Sequence, residues 1–311
     1  MYRFRSMNTE MVTYYLTTTD NRQTERWFHN VENALSRFLP GSELSQLNRT
    51  RRVPFMASDV LFEAVMTADR FFHETDGLFN PYLGCDLCRI GYDRSFEKIR
   101  TGSLVVDDRV FPIPHAPADV NPSMRSITMH GSSIDLGGIG KGWAAQKAAD
   151  QLRKRRPYGG IAAGGDIIVW GRPKKKWTIS ISRPESWNKN LCSFELDQSA
   201  GVATSSTLGR SWADRDGTVY HHILDPRTHL SAHSDLVQIS VLAADLCTAE
   251  VYAKCLIVLG WEPGLRWAMS KRPELGMIGL KGDGSLVVGG TFRDYAPKGV
   301  KTNERMALGN S

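Results

Sequence analysis

Four glycines in six positions, Gly137, Gly138, Gly140 and Gly142, stand between one acid, Asp135, and an alanine-rich run that starts at Ala144. No other stretch constrains the chain as much. Glycines at that density let a backbone pass close to a bulky ligand, and a helix beginning here offers free N–H groups to phosphate oxygens. The stretch lacks the Gly-Lys-Ser/Thr ending of a Walker loop and is not a G-x-G-x-x-G fingerprint. Taken alone, it is also compatible with an ordinary tight turn. What accompanies it downstream decides.

With 311 residues the chain has the length of one large domain or two closely packed ones, and 41% hydrophobic residues supply a core. The net charge of +6 mildly favours acidic partners such as nucleotides. Its basic residues are dispersed apart from Lys154-Arg155-Arg156 and Lys174-Lys175-Lys176, and none form a stripe interleaved with aromatics. Nucleic acid is therefore not an expected partner. No stretch approaches the apolar length needed to span a bilayer, and residues 1–7 do not read as a signal peptide. A cytoplasmic protein is expected. Five cysteines fit a reducing compartment, and Cys85-x-x-Cys88 lacks a second pair that would complete a zinc site.

Apolar residues at helical spacing predict helices over 22–38 (Trp27, Phe28, Val31, Leu35, Phe38) and 59–75 (Leu61, Ala64, Val65, Ala68, Phe71, Phe72). A third helix is expected from Gly140 to about Arg155, and others at about Thr248–Leu259 and near Pro263–Lys271. Residues 107–126 read as a loop with short strands. Gly159 to Gly171 reads as a strand with a central glycine bend, Trp177–Ser182 as a half-buried strand, and Val237–Ala243 as another. Met277–Leu280 and Leu286–Val288 form a hairpin around Lys281-Gly282-Asp283-Gly284. Strands and helices are interleaved without regular βαβ alternation, which favours an α+β fold. Residues 1–311 are expected to form a single domain with a fraying polar tail from about 297.

Four more segments concentrate polar chemistry: Ser42-Glu43-Leu44-Ser45-Gln46-Leu47-Asn48, Thr75-Asp76-Gly77-Leu78-Phe79-Asn80-Pro81, Gly201-Val202-Ala203-Thr204-Ser205-Ser206, and His221-His222-Ile223-Leu224-Asp225-Pro226-Arg227-Thr228. Each also has a structural reading: caps, an Asx turn, a polar strand rim, and a turn held by an Asp–Arg pair.

Their order resembles the ApbE family, the FAD:protein FMN transferases once described as thiamine-biosynthesis lipoproteins. The likeness runs Ser-x-x-Ser-x-x-Asn, Thr-x-Gly-x-Phe-Asn-Pro, Ile-Asp-Leu-Gly-Gly-Ile-x-Lys-Gly, Gly-Gly-Asp, Ala-Thr-Ser and His-x-x-Asp-Pro-Arg-Thr, across about residues 7–290. The resemblance implies mixed or antiparallel sheets packed with helices, related to the T-fold, with a flavin-nucleotide cleft between lobes. It implies a reaction that cleaves FAD and moves FMN onto a threonine of a target flavoprotein, releasing AMP. The alternatives are an FAD pyrophosphatase and an FAD-binding protein that has lost catalysis.

By the same resemblance Phe38 flanks the flavin, Leu224 packs on FAD, Met7 lies near the adenosine end and Asp135 hydrogen-bonds the nucleotide. Ile90, Gly91 and Tyr92 join the binding set, and Lys141 faces the ligand from its helix start. His222 matches a histidine that takes part in proton transfer; its other reading is a strand histidine held by its neighbours. Gly138, through its carbonyl, and the acid at Glu250 stand where the family holds Mg²⁺.

Here the chain departs from the family's pattern. Family members carry an aspartate and, four residues on, a threonine at the metal; this chain has Glu250 and Lys254. The i, i+4 spacing keeps both on one helix face. Lys254 either supplies cationic charge beside the phosphates or pairs with Glu250, and His222, Glu250 and Lys254 form the candidate catalytic set. Met7-Asn8-Thr9 stands for Met-Gly-Thr, and His229 for the glycine after Pro-Arg-Thr.

Overall fold

The computed structural model describes residues 1–102, 106, 117–302 and 306. In chain order the first half comprises β1 (Tyr2–Ser6), β2 (Thr9–Tyr14), α1 (Thr18–Leu35), α2 (Glu43–Leu47), β3 (Phe55–Met56), α3 (Asp59–Glu74), α4 (Gly84–Arg89), β4 (Ala118–Asn121), β5 (Ser126–Met129) and α5 (Gly140–Arg153). Then come β6 (Gly159–Ala163), β7 (Asp166–Trp170), β8 (Trp177–Arg183), β9 (Ser186–Leu196), β10 (Ala200–Ser206), β11 (Ser211–Ala213), β12 (Val219–His221), β13 (Leu224–Asp225) and β14 (Leu230–Ser231). The chain continues through β15 (Leu236–Ala243), α6 (Leu246–Leu259), α7 (Trp261–Lys271), β16 (Gly276–Lys281), β17 (Leu286–Gly290) and α8 (Phe292–Tyr295).

One eight-stranded sheet organises these elements in the order β1-β2-β6-β7-β10-β15-β16-β17. Every neighbouring pair in it is antiparallel. The expected α+β class is therefore realised with an antiparallel sheet. Strand alternation divides its two faces. On β15, Ile239, Val241 and Ala243 enter the core beneath the helices, whereas Leu242 turns to a second core against the β8–β9 hairpin. A register shift between Leu236 and Gln238 puts Leu236 on the helix face as well.

Buried on nearly every side, α6 lies against β10 and β15 and carries Leu246, Ala249, Val251, Ala253, Leu256 and Ile257 into the core. It starts on the side chain of Asp245, which accepts from the Thr248 N–H at 2.8 Å. Close approach to the sheet depends on Gly201, where an added Cβ would come within 2.6 Å of the Leu246 nitrogen. Helix α1 begins four residues before and ends three before its predicted limits, and α3 ends one residue early; their apolar stripes face this core and Ser36 and Thr75 cap the last turns.

Three expectations need correction. Gly159–Gly171 is not one bent strand but the β6–β7 hairpin, turned at Gly164 and Gly165 with φ of +66° and +108°. The tail is anchored further than expected: Lys301 exchanges two backbone hydrogen bonds with Ser193, and Thr302 donates to the Leu191 carbonyl, because the open edge of β9 offers partners. β1 and β2 were not foreseen. Their two-residue turn is Met7-Asn8, both left-handed, at φ of 49° and 60°. Of the loop expected at 107–126, β4 and the start of β5 are present; 107–116 lie outside the described residues. The pair Cys85 and Cys88 lies on α4 as free thiols, and no helix among the described residues is long and apolar enough to cross a membrane.

Candidate active site

The polar motifs build a frame around the glycine loop. Asn48 brackets Ile134 with both ends of its amide, accepting from Ile134 N–H and donating to its carbonyl at 2.8 Å each. Thr75 accepts from Phe79 N–H, Asn80 accepts from Tyr82 N–H, and the Pro81 carbonyl accepts from Asp135 N–H. The loop is thereby fixed against α2 and α4 before any ligand arrives. Asp225 takes the Arg227 backbone and guanidinium, so the Asp-Pro-Arg element is a turn clamp. Arg89 on α4 reaches the His229 carbonyl across that turn at 2.6 Å.

Three cavities meet around Gly137 and Arg210. The first, about 760 Å³, is walled by Phe38, Leu83, Leu87, Tyr92, Leu224 and Val258, with His222 and Lys254 at its base. Its lining is mostly apolar, as small-molecule sites are. The second, about 720 Å³, lies between Met7, Ser36, Arg37, Leu136, Gly140 and Lys141. A third, about 1650 Å³, opens along Thr204–Ser206, Asp166, Glu250 and Lys254. Phe38, Tyr92 and Asp135 line both of the first two, so the two chambers share a wall.

That wall contains a residue the motifs did not flag. Arg37 donates from Nε to Asp135 Oδ2, lies 4.2 Å above the Phe38 ring and 4.8 Å above the Tyr92 ring, and is 8% exposed. One of its terminal nitrogens is buried without a hydrogen-bond partner. A lone arginine at the end of α1 carries no sequence signal; only the fold turns it onto Asp135. Tyr92 also stacks on Trp212 at 5.5 Å, and the Trp212 indole donates to the Ile90 carbonyl. Ile90 itself is wholly buried, and Gly91, at φ +92°, turns the chain so that Tyr92 faces the cavity. Neither Ile90 nor Gly91 lines the three cavities.

Of the two adjacent histidines, His221 is structural: its Nε2 meets the Ala232 carbonyl at 2.8 Å and its Nδ1 accepts from Ile223 N–H. His222 lines the first and third cavities. Its Nδ1 is buried with no hydrogen-bond partner. Burial, together with Arg210, His221, Lys254 and Lys141, pushes its pKa well below the usual histidine value. A neutral imidazole at pH 7 is the form that accepts a proton.

At the floor of the third cavity four charges interlock. The Glu250 carboxylate, 1% exposed, takes Lys141 Nζ and Lys254 Nζ at 3.3 Å each on Oε1, and the Gly142 N–H at 2.9 Å on Oε2. Asp166 lies 3.8 Å from Lys141 and accepts from Thr204 N–H. Burial opposes charge at every member. Lys141 and Lys254 outweigh it at Glu250, whose pKa ends below the usual value, and Glu250 and Asp166 outweigh it at Lys141, whose pKa ends above. Asp166 loses the contest: burial and the Glu250 charge push it up to about 6.

This arrangement bears on two sequence expectations about contacts. Three N–H groups in the first turn of α5 are not open for phosphate, because Gly140, Gly142 and Trp143 donate to Leu136 O, Glu250 Oε2 and Ile139 O. Nor does the donor set fit Mg²⁺, which asks for near-octahedral oxygen ligation. Both Glu250 oxygens are engaged, and Lys254 Cε lies 3.3 Å from the position a Cβ would take on Gly138. The lysine stem therefore fills the space between Gly138 and Glu250.

The model of the ApbE family matches residues 7–278. An FAD:protein FMN transferase of Vibrio cholerae is 27% identical over 90% of this chain and 83% of its own length. Another of that name from Treponema pallidum is 27% identical over 74% of this chain and 68% of its own. Among solved structures, the ApbE protein of Thermotoga maritima superposes with a TM-score of 0.80 at 21% identity, covering 95% of this chain and 98% of that one. The flavin transferase ApbE of Vibrio cholerae gives 0.74 at 22% identity, over 94% and 98%.

Proposed function

Because this chain belongs to the ApbE family, we propose that it is an FAD:protein FMN transferase. One observation carries the reading to these residues: two chambers share a wall and adjoin a cleft edged by three cationic side chains, Lys141, Arg210 and Lys254. A dinucleotide has that form, two ring systems joined through a pyrophosphate. In this reading one domain spanning 1–311 carries the reaction.

The isoalloxazine ring lies in the apolar chamber against Phe38, Tyr92 and Leu224, and the adenosine end lies beside Met7. Asp135, oriented by Arg37, accepts hydrogen bonds from the nucleotide. The pyrophosphate then falls near Gly137, where the cations line the wall. Phosphoryl transfer needs positioning and charge neutralisation more than covalent help from the enzyme. The acceptor threonine oxygen bonds to the phosphorus on the FMN side. The bond from that phosphorus to the bridging oxygen breaks, and its electron pair leaves with AMP. The hydroxyl proton passes to the neutral imidazole of His222. Magnesium takes no part in these steps, since the residues present do not fit it.

The test incubates purified protein with FAD and flavoprotein domains from its own cell as acceptors. Covalent flavin fluorescence on the acceptor, with stoichiometric AMP, is expected. Free FMN and AMP without any acceptor would identify a pyrophosphatase instead. FAD retained with no AMP under every condition would identify a binding protein.

A further inference from the structure

We propose that the Lys254 ammonium stands in for a divalent cation, so that this site binds a pyrophosphate with side-chain cations alone. The proposal rests on the transferase reading for the identity of its ligand, but its geometry does not. The stem of Lys254 lies against Gly138, and its Nζ is held at 3.3 Å by both the carboxylate and the backbone carbonyl of Glu250. An ion seated between Gly138 and Glu250 would have to displace it.

The anchoring leaves a donor to spare. An ammonium has three N–H groups, and Lys254 spends its hydrogen bonds on Glu250 alone. The same side chain lines both the apolar chamber and the open cleft, where a phosphate oxygen would pass. Lys141 stands on the other side of the Glu250 carboxylate. Arg210 lines all three cavities and has no ion-pair partner among the described residues. With the Gly140, Gly142 and Trp143 N–H groups of α5 already satisfied, these three side chains are the main positive charge the cleft offers to an anion.

The acids show why the substitution is self-consistent. Glu250 and Asp166 supply two carboxylates, and Lys141 and Lys254 supply two ammonium groups. The cluster is balanced without an added ion. A divalent cation would bring excess charge to a place where a lysine is already held.

Two measurements on the intact protein test this. Calorimetric titration with Mn²⁺ alone should show no saturable binding, and FAD affinity should be the same in EDTA as with millimolar Mg²⁺. Lys254→Thr, which removes the ammonium and adds a ligating oxygen, should weaken FAD binding in EDTA by roughly tenfold to a hundredfold, the cost of one charge-assisted hydrogen bond. Added Mg²⁺ should restore it, most fully together with Glu250→Asp. Lys254→Met should lose the same affinity without rescue by metal, and Lys254→Arg should keep it. Stoichiometric Mn²⁺ binding to the unaltered protein would overturn the proposal, whatever the enzyme proves to catalyse. So would FAD binding that vanishes in EDTA. Metal-independent FAD binding without AMP release would leave the proposal standing and overturn the transferase reading alone; no FAD binding under either condition would overturn both.

Discussion

The Nδ1 of His229 meets Oδ2 of Asp86 at 2.9 Å, across 143 residues of sequence. Asp86 is 1% exposed, and Arg89 Nε lies 3.5 Å from its other oxygen. The bond ties α4 to the β13–β14 turn, and those two elements supply Leu87 and Leu224 to the apolar chamber. His229 holds φ at +60°, a conformation that suits glycine, so its side-chain bond offsets backbone strain.

Asp86→Ala should therefore destabilise the protein by roughly 3 kcal/mol in urea unfolding, since it strips a partner from buried cationic and polar groups. His229→Gly should cost less, because glycine relieves the strained φ while losing the bond. Equal stability of Asp86→Ala and the unaltered protein would show that the contact is incidental.

His222→Asn should lower turnover by roughly 10²-fold while leaving FAD affinity nearly intact. The depressed histidine pKa fixes the pH profile as well. The imidazole stays neutral down through pH 6.5, so the acid limb of the turnover profile should fall below the pH at which a free histidine titrates. Parallel losses of affinity and turnover would make His222 a wall of the pocket rather than a base.

Asp166, pushed up to about 6, gives binding its own pH dependence. As pH falls through that value the carboxylate gains a proton, and one negative charge disappears beside Lys141. FAD should bind more tightly at pH 5 than at pH 7, and Asp166→Asn should flatten the difference. The group also bears on stability. Its folded pKa lies above the ordinary carboxylate value near 3.9, so its proton favours the folded state and that contribution fades as pH rises through about 6.

FAD should bind more tightly than FMN, because only the dinucleotide reaches Met7 and Asp135 as well as Phe38 and Leu224. Arg37→Met should erase most of that difference by releasing Asp135 from its fixed orientation. Equal affinities for FAD and FMN in fluorescence titrations of the unaltered protein would place the adenosine end outside the chain.

The long helices and the 276–290 hairpin were legible because their apolar periods face a single core and Gly284 marks the turn. The β6–β7 hairpin was not. Gly164-Gly165 is itself a hairpin signal, but the apolar runs Ile161–Ala163 and Ile167–Trp170 that flank it read as one buried strand bent at the glycines. The Met7-Asn8 turn hid for a different reason, since a methionine at φ 49° costs roughly 1–2 kcal/mol that nothing local repays. Motif order led to His222, Phe38, Asp135 and Lys141 around one cleft. Arg37 and Arg210 escaped because isolated arginines are commonplace; only the fold brings them to the glycine loop. Whether Lys254 pairs with Glu250 or faces a ligand was open in the sequence, and the geometry lets it do both.

Glu250 and Lys254 sit one turn apart on α6, the helix that fills the centre of the molecule. Their side chains face the cleft, but the backbone that holds them cannot open locally without dismantling the core around Leu256 and Val251. The amide protons of this turn should exchange with solvent only when the whole molecule unfolds, far more slowly than those of the Met7-Asn8 turn. An ion pair held that firmly does not reorient when a reaction redistributes charge beside it. The cleft thus keeps its electrostatic field fixed between turnovers, and reorganisation, the main expense of charge rearrangement in water, has been met once, during folding.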